Sequence, residues 1–139
     1  MMTPFRRNSA ASVRFAERRQ REDEAPRLRE HLPRLVSLKL EIVEDTGVGT
    51  NKHVRHVVLD RAPALFLFPC GDPRCVDGEH DLTATVMRAL DAGQTSFHGD
   101  DDCTGSVGSA YCSRVLHVDG TAEYAPRVAP EPMLPVNTR

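Results

Sequence analysis

Four cysteines, confined to a 43-residue stretch, constrain this chain more than any other feature of it. Cys70 and Cys75 stand in PCGDPRC, directly after the apolar run ALFLF. Cys103 stands in GDDDCTG, and Cys112 in YCSRVLHV, which reads as a strand. A tetrahedral zinc ion takes four soft ligands, each sulfur about 2.3 Å away. A short spacer brings two sulfurs together at little entropic cost, and Gly71-Asp72-Pro73-Arg74 between the first pair is turn chemistry throughout. The second pair has a longer spacer, in which Gly105 and Gly108 let the chain fold back. In a reducing compartment such a cluster favours metal over disulfide.

The expected ligands are therefore Cys70, Cys75, Cys103 and Cys112, and the expected cofactor is a structural zinc ion. It would clamp the last third of the fold to its middle. Four thiolates around one zinc carry a formal charge of −2, which Arg74 and Arg114 are placed to offset. Asp100, Asp101 and Asp102 beside Cys103 disfavour free thiolates and favour a bound cation. His80 and His98 are reserve ligands; His53, His56 and His117 fall on expected strands. Disulfides, inert core thiols and a redox pair of Cys70 with Cys75 are the alternatives. An iron–sulfur cluster of the plant type also begins with C-x4-C but continues with C-x2-C, which this sequence lacks.

Size gives the staple a physical task. A length of 139 residues points to one domain, with no Trp, 5 Phe and 2 Tyr to fill its core. Both ends look loose, and a folded part of this size buries roughly 60–65% of its unfolded surface, which is often marginal without help. The expected organisation is a basic, partly helical or disordered arm over residues 1–34, a zinc-stabilised α+β domain over 35–125, and a Pro-rich disordered tail over 126–139. The arm holds nine Arg and five acids, and the remainder is acidic overall. An acidic body repels phosphates, so contact with nucleic acid or another partner is expected through Arg6, Arg7, Arg14, Arg18, Arg19 and Arg21.

No run reaches the roughly 20 apolar residues of a membrane span, and no apolar block follows the basic start as in a signal peptide. The first 21 residues share their Arg- and Ser-containing, acid-poor composition with mitochondrial transit peptides. Sixteen Arg against two Lys is nevertheless a bias of the whole chain, which suits a GC-rich bacterial gene. The cytoplasm is the expected location.

Alternation predicts a strand from Val36 to Glu44, with Val36, Leu38, Leu40 and Ile42 on one face. DTGVGTN is a loop, His53–Asp60 a returning strand, and Ala64–Phe68 a short central strand with both faces apolar. Asp81 starts a helix whose stripe is Leu82, Val86, Met87 and Leu90, and Gly93 ends it. Thr95–His98 is a short strand and 98–109 a polar loop. Asp119-Gly120 predicts a tight hairpin between Ala110–Val118 and Thr121–Tyr124. The expected fold is α+β: an antiparallel sheet of about five strands, one packed helix and a zinc-ribbon-like or treble-clef-like metal site.

Two short motifs carry resemblances. Pro69-Cys70-x4-Cys75 resembles half of the zinc-dependent nucleobase deaminase signature, whose other half, an upstream H-x-E supplying a zinc ligand and a proton shuttle, does not occur here. Asp45-Thr46-Gly47-Val48-Gly49 resembles the D-x-G-x-G box of histidine-kinase-type ATPases and, over its first three residues, the D-T-G of aspartic proteases. The ATPase resemblance implies a second Gly-rich box and a helical lid, and the protease resemblance implies Ser or Ala where Val48 stands; none of these is present. Four thiol ligands would also leave no open coordination position. The expected function is accordingly a non-catalytic, zinc-stabilised binding module with a protein or nucleic acid partner, with a thiol–disulfide redox protein using Cys70 and Cys75 as the alternative.

Overall fold

The computed structural model describes residues 4–127. The chain is α+β with antiparallel strand pairing throughout. It begins with helix α1 (Pro4–Glu24) and a single helical turn α2 (Leu28–His31), separated by Pro26. Strands β1 (Leu35–Asp45), β2 (Thr50–His56), β8 (Val115–Tyr124) and β5 (Ser96–Asp102) form the main sheet in the order β2-β1-β8-β5. Between them come β3 (Leu67–Pro69), β4 (Glu79–Asp81), helix α3 (Thr83–Asp91), β6 (Ser106–Val107) and β7 (Ala110–Tyr111), with β3–β4 and β6–β7 as separate two-stranded ribbons.

Alternation explains the core. Leu38, Leu40 and Ile42 of β1, Leu116, Val118 and Ala122 of β8, and Phe97 of β5 are all buried on one face of the sheet. Helix α3 packs there with Leu82, Val86, Ala89 and Leu90, and Asp81 Oδ1 accepts from the Thr83 N–H at its start. Gly93, at φ +71°, turns the chain out of the helix as expected. Leu28, in the segment expected to be an arm, is fully buried in the same cluster.

Several expectations fail for local reasons. Val36 is 55% exposed because a bulge between Leu35 and Ser37 resets the alternation, and Leu35 takes the inner position. The second strand starts and stops earlier than read, since a turn over residues 46–49 closes on Gly47 at φ +88°. The apolar run 64–68 is not central. Only its end is strand, and it pairs with β4 alone, buried between the core and the cysteines. Asp100–Asp102 lie on β5 and not in a loop, and Cys112 lies in the connection before β8 and not on a strand.

Asp119-Gly120 makes no turn. Strand β8 runs straight through it, paired on both sides. Gly120 sits opposite Phe97, and a Cβ there would lie 2.0 Å from Phe97 Cζ, so the glycine clears space for the ring. The 128–139 part of the expected tail lies outside the described residues. Among them, no helix is long and apolar enough to cross a membrane.

Candidate metal centre

The four cysteine sulfurs converge although the two loops that carry them are far apart in sequence. Cys70 follows β3, and Cys75 closes the turn after it by donating its N–H to Asp72 O at 3.0 Å. Cys103 and Cys112 flank the β6–β7 hairpin, where the Cys112 N–H reaches Gly105 O at 2.9 Å. Paired bonds between Val76 and Ser106, at 2.8 and 3.1 Å, lock the loops together. All four Sγ atoms lie within 4.8 Å of one another. Cys70–Cys112 is 3.8 Å and Cys75–Cys103 is 3.6 Å. Sulfurs about 2.3 Å from a tetrahedral ion stand about 3.8 Å apart, so the group is of the size a metal requires.

Glycine makes the convergence possible. A Cβ on Gly78 would stand 2.4 Å from Cys75 Sγ and 2.8 Å from Cys103 Sγ. One on Gly105 would stand 2.4 Å from Cys75 Sγ and 2.6 Å from Val76 O. Backbone N–H groups two residues ahead point at the sulfurs: Asp72 to Cys70 at 3.4 Å, and Gly105 to Cys103 at 3.3 Å. The Arg114 N–H serves Cys112 in the same way. Such donors stabilise thiolates over thiols.

Without a cation, two of the thiols, Cys70 and Cys75, hold their protons more tightly than a free thiol does. Burial pushes Cys70 far above the ordinary thiol range, with Cys103 and Cys112 adding to the shift. Burial, helped by Cys103 and Cys112, pushes Cys75 up to about 11. Cys112 moves the other way: burial acts upward on it, but the Arg114 N–H and the neighbouring thiols outweigh that and lower it. A dication at the centre would supply the charge that four thiolates need, and binding it would release the protons held on Cys70 and Cys75.

A charged cage surrounds the sulfurs. Arg114 Nη1 contacts Glu44 Oε1 at 2.7 Å, and its Nε lies 3.9 Å from Asp72 Oδ2. Arg74 binds Asp72 through Nε at 3.3 Å and Nη2 at 3.2 Å. The two arginines expected to offset the sulfur charge therefore also hold two buried acids, Glu44 and Asp72. Glu44 and Gly78 are absent from the site expected from the sequence, and Asp72 and Gly105 enter that expectation only as spacer residues between the cysteines. Their signals were present: Glu44 continues the inward register of Leu40 and Ile42, and each glycine closely follows a cysteine.

The histidines divide. His80 is fully buried beside Glu44, while His98 lies on the outer face of β5, with Nδ1 2.9 Å from Asp119 Oδ1. His98, Asp100 and His117 form a separate group there, so His98 is not a reserve ligand to the cysteines. On α1, Arg14 meets Asp77 at 3.0 Å, and Arg18 and Arg21 meet Glu79 at 4.0 and 3.1 Å. Arg19 lies over the Phe15 ring. The side chains of Arg6 and Arg7 lie outside the described residues. Comparison with protein-family models, with curated proteins and with solved structures finds no match.

Proposed function

We propose that the chain is a non-catalytic binding module whose cysteine lobe is held by a structural zinc ion on Cys70, Cys75, Cys103 and Cys112. The observation that carries this reading is the four-sulfur group, with separations of 3.6 and 3.8 Å across two loops that glycines allow to touch. Four thiolates fill a tetrahedral shell and leave no position for a substrate, which argues for structure over catalysis. A zinc-ribbon-like site is the better supported architecture, since all four cysteines come from connections beside short strands and none from a helix. A reducing compartment, the cytoplasm by default, suits free thiols.

A protein is the favoured partner. Arg14, Arg18 and Arg21, three of the arginines considered for phosphate contact, already face Asp77 and Glu79. Nucleic acid binding through the arm has a direct test. If it operates, deleting residues 1–24 removes salt-sensitive retention on DNA or RNA; retention that is absent or unchanged ends that idea.

The test of the main reading is elemental analysis of chain purified without added metal, together with thiol counting. Zinc that a Cys103→Ser variant releases, and four free thiols after denaturation, are expected. No metal and a reversible two-electron oxidation of Cys70 with Cys75 would replace this reading with the redox one.

A further inference from the structure

The described residues contain one buried side-chain nitrogen or oxygen without a hydrogen-bond partner, and it is Nε2 of His80. The ring is fully buried. Its Nδ1 lies 3.2 Å from the backbone oxygen of Asp101 and 3.4 Å from Asp101 Oδ2. Both are acceptors, so Nδ1 carries the proton and donates it. In the neutral ring that leaves Nε2 as a lone pair, aimed at Glu44 Oε2 3.8 Å away. A lone pair facing a carboxylate in a buried site is repulsive, and 3.8 Å is too long for a hydrogen bond. It is a span that one ion, about 2.0–2.1 Å from each atom, can bridge.

A third donor completes the set. One ligand atom each from Glu44, Cys70 and His80 lies within 4.8 Å of the others. We propose that Glu44, Cys70 and His80 hold a second transition-metal dication, with Cys70 Sγ shared between it and the ion of the four-cysteine group. The proposal rests on that group binding metal.

The surroundings match those of a ligand set. A metal-bound histidine almost always donates its other N–H to a carbonyl or carboxylate, as His80 does to Asp101. The carboxylate is held as well: Glu44 Oε1 takes Arg114 at 2.7 Å, and Oε2 takes the Gly71 N–H at 2.9 Å. Gly71 is required for this approach, because a Cβ there would stand 2.4 Å from Glu44 Oε1. Charge points the same way. Four thiolates, Glu44, Asp72 and Asp101, set against Arg74 and Arg114, leave the region at −3 with one dication and −1 with two. Mixed nitrogen, oxygen and sulfur donors suit zinc or cobalt over calcium or magnesium.

The test is a titration of the metal-free, reduced full-length chain with Co2+, followed by thiolate charge-transfer absorption and by bound cobalt per chain. Two ions per native chain are expected. Glu44→Gln and His80→Gln, near-isosteric changes, should each weaken the second step by at least about tenfold. The charge-transfer band of the first step should remain. One ion per native chain, unchanged by either variant, overturns the second site and leaves the first. No bound ion overturns both. Two ions whose affinities neither variant alters place the second elsewhere, for which His98, Asp100 and His117 are the next donors, and overturn the proposal.

Discussion

The sheet with α3 and the cysteine lobe are held together by different physics. Among the described residues, seventeen buried apolar residues form the cluster under the sheet, and none comes from residues 69–81 or 103–114. That second region has two three-residue strands at its base, a hairpin of two residues a side, and buried polar groups, Glu44, Asp72 and His80, at its rim. Apolar burial supplies the driving force in the first region, and the lobe lacks it. What the lobe has is four sulfurs of metal-binding size. The difference refines the idea of a staple for a thin core: on the proposed reading the staple would act beside the apolar cluster and not within it.

Acidification should separate the regions most strongly. Burial keeps protons on Cys70 and on Cys75, the latter at about 11, so at least two protons leave when metal binds. Affinity therefore rises with pH and falls on acidification, by about a hundredfold per pH unit for two protons. Competition with a chelator across pH measures the slope, and a slope below one proton would break the comparison.

Leu40→Ala acts on the other side. The residue is fully buried in β1, at the centre of the cluster, and its truncation should cost about 2–5 kcal/mol in denaturant unfolding. Metal bound per folded chain should not change.

Two glycines sharpen the contrast. Gly105→Ala pushes a methyl against Cys75 Sγ, and Gly120→Ala pushes one into the Phe97 ring. Overpacking of this kind costs about 1–3 kcal/mol. The first should weaken metal binding and spare the unfolding midpoint of the sheet; the second should do the reverse. Identical effects on both readouts would mean that the two regions are one cooperative unit.

The smallest effect belongs to the outer face of the sheet. Asp119, with Asp100, holds His98 above its ordinary value, and His117 with His98 holds Asp100 below its own. The His98 contribution is fully present below its unfolded value near 6.5 and is lost as pH rises through the folded value. The Asp100 contribution is present above its unfolded value of 3.8 and is lost as pH falls through its folded value. Exposed pairs contribute little, so NMR titration of the His98 ring is the suitable readout. Asp119→Asn should bring that titration down toward 6.5.

Periodicity made β1, α3 and the antiparallel α+β class legible, because burial on one face enforces it. The four cysteines were legible as a set because spacing and residue type carry metal chemistry. Asp119-Gly120 misled because a glycine can serve a neighbouring ring as well as a turn, and the sequence does not say which strand lies alongside. Ala64–Phe68 misled for a related reason: burial on both faces shows that a strand is covered, not by what. His80 was visible as a histidine near cysteines, but its place beside Glu44 depends on how β4 meets β1 in space, which local patterns do not encode.

Hydrogen exchange of the native chain, before and after a chelator removes its metal under reducing conditions, tests the central claim most directly. The lobe amides of Cys75, Val76, Cys103, Ser106 and Cys112, all bonded to backbone carbonyls in the fold, should lose protection. The amides of β8 from Leu116 to Ala122, bonded to β1 and β5, should keep theirs. Equal loss in both regions, or no change in the lobe, would contradict the account.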